Sequence, residues 1–427
     1  MAWTIQRVVV LGANGAMGAQ TAALFARAGV AVIGASRTAE KSAQAIAALC
    51  AKEPALAGHL TAVSYADLPA AVADCDWIVE ALGEDLALKR SFYDVIDRHR
   101  GPRCIVSTVT SGLSIAALAD GFSASFQQHF LGTHLFNPPA KLRACERIAH
   151  PRTRPDLVDF VDEYLRGPLQ RVVIPALDVP AFAGNRIGFQ FLNQAARAAQ
   201  DRGVLEVDAL LGTYTGRALP PLATIDLVGL DVHRAIVDNV FWHAAHDCRE
   251  CFRVPEFLEA MIGRGQLGRK TPEAGGFYGP RTNGARPVWN PRQRAHETPA
   301  PPQFEFIADV QAALRAGDAA AALQVLFSAE DAPATFVQRS LASYVHYAFA
   351  RAGDVTPAAD GIHGIDAVMA HGFCWLPPGA FVDLWGGPAA AGRILATHGF
   401  AMPPALQRLP EGTPVCRVQD AARLLVA

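Results

Sequence analysis

No stretch of the 427-residue chain approaches the ~18 uninterrupted apolar residues that a membrane-spanning helix needs. There is no basic excess either. The net charge is −2 and only 18% of residues are charged, so nothing favours nucleic acid as a partner. A disulfide framework is also missing. The eight cysteines are scattered from Cys50 to Cys416, as expected of reduced thiols in a cytoplasm. The opening MAWTIQRVVVLG runs into a strand pattern without a signal peptide's charged start, long apolar run and cleavage site, so a cytoplasmic protein is expected. What is abundant is apolar material, 51% of residues, enough for two or three globular domains.

The stretch RVVVLGANGAMGAQTAALFARAG begins with a β-branched run, Arg7 to Leu11, of the kind buried in a parallel sheet. The turn Gly12-Ala13-Asn14-Gly15-Ala16-Met17-Gly18 follows, then a helical run from Ala19 to Ala28 that stops at Gly29. Strand, glycine-rich turn and helix in that order predict a dinucleotide site. The glycines let backbone N–H groups approach a pyrophosphate, and the helix N-terminus favours its charge. The G-x-x-G-x-x-G spacing is one residue longer than the usual form. A second strand, Val30 to Gly34, leads into ASRT. An NAD enzyme places an acid there, on the adenosine ribose; this chain has Ser36 and Arg37. A hydroxyl and a guanidinium suit a ribose 2′-phosphate. The other reading is a solvated Arg37 at a strand end.

Strand and helix keep alternating, with strands at Trp77 to Ala81 and in CIVST, FLGTHLF and QRVVIP. The fold class expected for 1–177 is an α/β Rossmann-like doubly wound parallel sheet. Ligands in such sheets sit at the strands' C-terminal ends. Ser111 follows one such end, and His134, in GTHLFNPP, lies near another. A histidine in an apolar stretch is either a satisfied core residue or a proton carrier. Its place favours the second. Imidazole titrates near physiological pH, so it suits accepting and returning a proton.

Seven stretches, in order from residue 7 to about 278, resemble the L-3-hydroxyacyl-CoA dehydrogenases of fatty-acid β-oxidation. They are GANGAMG, VEALGEDLALK, STVTSGLSI, GTHLFNPPAKLRACERI, DVPAFAGNRIGFQFLNQA, IDLVGLDV and GQLGRKTPEAGGFY. The resemblance implies oxidation of an acyl-CoA's 3-hydroxyl to a ketone with NAD, or NADP if Ser36 and Arg37 act as read above. It implies His134 as general base, Glu146 as the carboxylate orienting it, and Ser111 and Asn185 as donors to the substrate's 3-oxygen. Glu84 and Lys89 match residues near the nicotinamide half of the cofactor. The chain departs from the family at the longer glycine turn, at Ser36 in place of an acid, and at Gly112 in the turn after Ser111. Lys141 and Arg143 make the segment after the histidine more basic.

After about residue 177 the pattern turns all-helical. A long helix is expected over FAGNRIGFQFLNQAARAAQDRG, ending at Gly203. An internal repeat follows. VPAFAGNRIGFQFLNQA at 179–195 parallels APATFVQRSLASYVHYA at 332–348, and LPPLATIDLVGLD parallels LPPGAFVDLWGGP. Asp226 matches Asp383 and Arg186 matches Arg339, but Gln338 stands where Asn185 does. The expected organisation is a dinucleotide domain at 1–177, a helical domain at 178–280, a flexible linker at 281–304 and a degenerate second helical copy at 305–427. The two copies are expected to dock as an intramolecular pseudo-dimer, leaving a monomeric enzyme. HAAHDCREC offers His243, His246, Cys248 and Cys251, but on a helix these do not share one face, so no metal is expected. Two other functions stay open: a dehydrogenase of another 3-hydroxy acid, and a non-catalytic cofactor-binding subunit of a β-oxidation complex.

Overall fold

A computed structural model describes residues 3–244, 248–281 and 286–427. The chain forms two compact units, Met1–Phe182 and Ala183–Ala427. Among the described residues, no helix is long and apolar enough to cross a membrane.

The first unit is built on eight strands: β1 Arg7–Leu11, β2 Ala31–Ser36, β3 Leu60–Ser64, β4 Trp77–Glu80, β5 Ile105–Thr108, β6 Phe130–Leu135, β7 Ala144–Ala149 and β8 Val172–Pro175. Their spatial order is β3-β2-β1-β4-β5-β6-β7-β8. Val8, Val9, Val10 and Leu11 of β1 have no exposed surface, which is why so short a β-branched run makes a central strand. The chain winds outward in both directions from β1, and the order reverses between β1 and β4. That reversal opens a crevice at the strands' C-terminal ends.

The sheet is not wholly parallel, contrary to expectation. β6 and β7 form an antiparallel pair, with His134 opposite Glu146, and β7 then runs parallel to β8. β7 is hidden in ACERIA because Glu and Arg are poor strand residues. Ala144, Cys145, Glu146 and Ile148 are nonetheless buried, while Arg147 pairs with Asp162 at 3.0 Å. The first helix also starts earlier than its apolar run suggested, spanning Ala16–Arg27.

The second unit is helical. Its first helix, Gly184–Arg202, ends where Gly203 takes a φ of 86°. Helices Val204–Leu210, Pro221–Val228, Leu230–His243 and Glu256–Gly263 follow, and later Ala332–Arg351 and Pro378–Leu384. The expected flexible linker is instead partly ordered. Strands β9 Val288–Asn290 and β10 Ala295–Glu297 form a hairpin, and Trp289 is buried there because its backbone joins that of Phe277.

The cysteine expectation is corrected as well. The helix Leu230–His243 stops before the C-x-x-C, and a short turn at Arg249–Phe252 brings the Cys248 and Cys251 Cα atoms to 5.4 Å. That spacing suits a disulfide, and the two are bonded. The other six cysteines are free. His246 lies outside the described residues, and among those described no cluster of metal-ligating side chains occurs.

One hydrogen-bond pattern occurs twice in this unit. Asp208 accepts from the N–H groups of Leu222 and Ala223, and Asp226 from those of Phe277 and Tyr278. Asp366 accepts from Gly379 N–H, and Asp383 from Val415 and Cys416. Burial pushes the carboxyls of Asp208 and Asp366 up, to about 7 and about 8.

Candidate active site

The glycine turn forms the floor of the crevice. Gly12 has a φ of 77°, and a Cβ there would fall on the Ala81 carbonyl; a Cβ on Gly18 would fall on the Gly12 carbonyl. Gly15 caps the helix Ala16–Arg27 with backbone alone, and its first turn holds no acidic residue. Ala13 is buried and Met17 half-buried, while Asn14, Gly15 and Ala16 are exposed. An exposed turn leading into a helix start, where the first N–H groups have no partner within the helix, fits a pyrophosphate. Gly12→Ala is therefore expected to weaken NADH binding by about tenfold or more, since backbone must move to admit the methyl. A fluorescence titration showing unchanged affinity would refute this role for the turn.

Ser36 and Arg37 separate in the structure. The Ser36 hydroxyl is fully buried, donates to the Thr38 carbonyl at 2.9 Å and accepts from Ser42 at 2.7 Å. It closes a strand-to-helix turn and is not presented to a ligand, which corrects the expected phosphate donor. Arg37 is exposed beside it.

At the end of β4, Lys89 is fully buried, 2.7 Å from Glu80 and 3.6 Å from Glu84. Its ammonium is enclosed by protein and also donates to the Leu82 carbonyl at 3.3 Å. Glu84 accepts from Thr110 Oγ1 at 2.5 Å, Ser111 N–H at 2.7 Å and Gly112 N–H at 3.0 Å. The acid thus holds the turn that carries Ser111, replacing order that Gly112 would otherwise loosen.

The central pair sits on the antiparallel hairpin. His134 Nδ1 lies 2.6 Å from Glu146 Oε2, and the two side chains are 5% and 0% exposed. Their separation of twelve residues is the register of β6 on β7, which makes them direct cross-strand partners. The His134 ring is flanked by Phe136 at 4.8 Å and Phe182 at 5.8 Å. With Nδ1 bonded to a carboxylate, Nε2 is the nitrogen available as a base. Asn185 belongs to the second unit, buried in the first turn of the helix Gly184–Arg202.

Glu80, Phe136 and Phe182 were not anticipated. The signal for Glu80 was an acid closing the apolar run WIVE; for the phenylalanines there was none beyond their nearness to His134 and Asn185 in sequence.

Residues 7–179 match the model for the 3-hydroxyacyl-CoA dehydrogenase NAD binding domain, and residues 182–278 match that family's C-terminal domain. A Bacillus subtilis protein named "Probable 3-hydroxyacyl-CoA dehydrogenase" is 32% identical over 308 residues, 71% of this chain and 38% of that protein. The chain thus spans well under half the length of that relative. The crystal structure of (S)-3-hydroxybutyryl-CoA dehydrogenase from Ralstonia eutropha is 26% identical, with a TM-score of 0.57, covering 65% of this chain and all of that one. The fold is shared more widely with 3-hydroxybutyryl-CoA dehydrogenase from Escherichia coli, at 21% identity, a TM-score of 0.70, and 92% and 94% of the two chains.

Proposed function

The chain belongs to the 3-hydroxyacyl-CoA dehydrogenase family, and on that premise we propose that it reversibly oxidises an (S)-3-hydroxyacyl-CoA to the 3-oxoacyl-CoA, as in fatty-acid β-oxidation. The observation that carries the reading is the buried His134–Glu146 pair. When bound, NAD supplies a nicotinamide ring that takes the hydride from C3. His134 Nε2 takes the proton from the 3-hydroxyl, so alcohol becomes ketone with charge balanced. Glu146 holds the other ring nitrogen as N–H and stabilises the imidazolium that forms. Phe136 and Phe182 shield the ring from water. Ser111, and Asn185 by the family resemblance, donate to the oxygen as negative charge develops on it. A non-catalytic subunit has no need of a buried acid behind its histidine. Forward assays with the (S)- and (R)-isomers of 3-hydroxybutyryl-CoA test the substrate: NADH should form with the first, and equal rates with both would overturn the assignment.

The cofactor reading extends to NADP(H) through Arg37 alone, since Ser36 is committed to its own turn. Exposed Arg37 is placed after β2 with no acid to repel a 2′-phosphate. Arg37→Ala should weaken NADPH selectively, by roughly tenfold to a hundredfold, the scale of a charged hydrogen bond. Equal loss for NADH, or no measurable NADPH use, would contradict this role.

Residues 305–427 are read as a second, degenerate helical copy docked on the first. Support comes from the twice-used aspartate pattern and from the contacts joining the copies. Arg186 Nε donates to Tyr347 Oη at 3.0 Å, Ser343 donates to Gln194 at 3.1 Å, and Leu376 N–H meets the Gly216 carbonyl at 2.7 Å. Gln338, the counterpart of Asn185, has its amide committed to the Leu326 and Ala329 carbonyls at 2.7 and 2.8 Å. On this reading the second copy keeps the packing, and its glutamine amide is turned to its own backbone.

A further inference from the structure

Glu80 closes β4 with no exposed surface, and its carboxylate accepts four hydrogen bonds. Oε1 receives Lys89 Nζ at 2.7 Å and the Leu82 N–H at 2.6 Å. Oε2 receives Tyr93 Oη at 2.6 Å and Thr108 Oγ1 at 2.8 Å. Burial and the nearby Glu80 charge push the Tyr93 phenol well above its ordinary value, so it remains a donor.

Two arms run from this carboxylate to the same turn. Through β5, Thr108 Oγ1 accepts the Thr110 N–H at 3.2 Å. Through the helix Leu86–His99, Lys89 pairs with Glu84, whose other oxygen binds Thr110, Ser111 and Gly112. The arms meet at Thr110 and Ser111 and close a circuit. A buried ion pair is weak evidence for stability, because apolar side chains of similar size often serve the fold as well. What this pair does do is tie the ends of β4 and β5 to the turn holding Ser111.

We propose that Glu80 is a positioning residue of the dehydrogenase reaction, fixing the Ser111 turn through Lys89–Glu84 on one side and Thr108 on the other. The proposal rests on the function proposed above. With Glu80 as glutamine, Lys89 has only Glu84 as a carboxylate partner. Glu84 is drawn toward Lys89 and away from the Ser111 and Gly112 N–H groups. The Ser111 hydroxyl then loses its fixed place against the substrate oxygen.

The test is a double-mutant cycle of Glu80→Gln with Ser111→Ala, read as kcat for acetoacetyl-CoA reduction, with NADH affinity and thermal unfolding measured alongside. Glu80→Gln is expected to lower kcat by about tenfold, with NADH affinity within about threefold of the parent, and to cost less than about threefold once Ser111 is alanine. A purely structural role would lower the activity of both backgrounds equally. Should Glu80→Gln fail to fold, Thr108→Val cuts one arm while leaving the ion pair, and the same loss of effect in the Ser111→Ala background is expected. Multiplicative effects, or an unchanged kcat, would overturn the proposal while leaving the dehydrogenase reading standing. An inactive parent enzyme would overturn both.

Discussion

Replacing His134 with glutamine, or Glu146 with glutamine, is expected to lower turnover by roughly a hundredfold or more, with the sheet and NADH affinity preserved. That is the scale of losing a positioned general base. The two changes act differently on one proton path. His134→Gln removes the acceptor itself. Glu146→Gln leaves the ring but replaces the carboxylate 2.6 Å from Nδ1 with an amide that stabilises the imidazolium poorly. Because the residues act as a unit, the double variant should be little slower than His134→Gln alone. Both glutamines keep a polar group of similar size on the hairpin, so thermal unfolding separates lost chemistry from lost fold. Near-parental turnover in either variant with intact NADH binding would remove that residue from the mechanism.

The second large effect concerns assembly. A chain ending at Pro302 is expected to dimerise or aggregate, while the full chain stays monomeric, as light scattering would report. The reason is the face that residues 305–427 cover. Gly188 packs so closely on the Phe373 ring that a Cβ would overlap it. Phe191 sits 5.6 Å from Trp375 and 5.9 Å from Tyr344. Arg217, 1% exposed, lies over the rings of Phe191 at 3.7 Å, Trp375 at 4.8 Å and Tyr344 at 5.3 Å. Burial lowers its pKa to about 10, and its cation is balanced by aromatic faces. Removing residues 303–427 leaves this apolar wall in water, the kind of surface that finds another chain. A full-length protein that is an obligate dimer, with a soluble monomeric truncation, would contradict the docked arrangement.

What was legible in the sequence was what local patterning dictates. The Arg7–Leu11 strand has the bounds its β-branched run suggested, and the long helix stops at Gly203 as expected, because no side chain needs to follow a glycine into that geometry. Less legible was anything decided by a distant partner. β7 carries Glu146 and Arg147, residues that avoid strands unless something pairs them, and the partners His134 and Asp162 lie twelve and fifteen residues away. Ser36 looked like a ligand group because its donor has no visible competitor in sequence; Ser42 and Thr38 claim it only once the chain turns. The hairpin around Trp289 hides among prolines and arginines, and its burial depends on Phe277. Of the site, the residue types and order were readable through the family resemblance. The circuit through Glu80 was not, because its members are spread over β4, β5 and the helix Leu86–His99.

The most direct measurement is NADH absorbance on addition of acetoacetyl-CoA to the purified protein, run beside His134→Gln. The account predicts steady NADH consumption that needs both substrate and enzyme, with 3-hydroxybutyryl-CoA as product, falling about a hundredfold in the variant. Tight NADH binding without any consumption would contradict it and point to a cofactor-binding subunit.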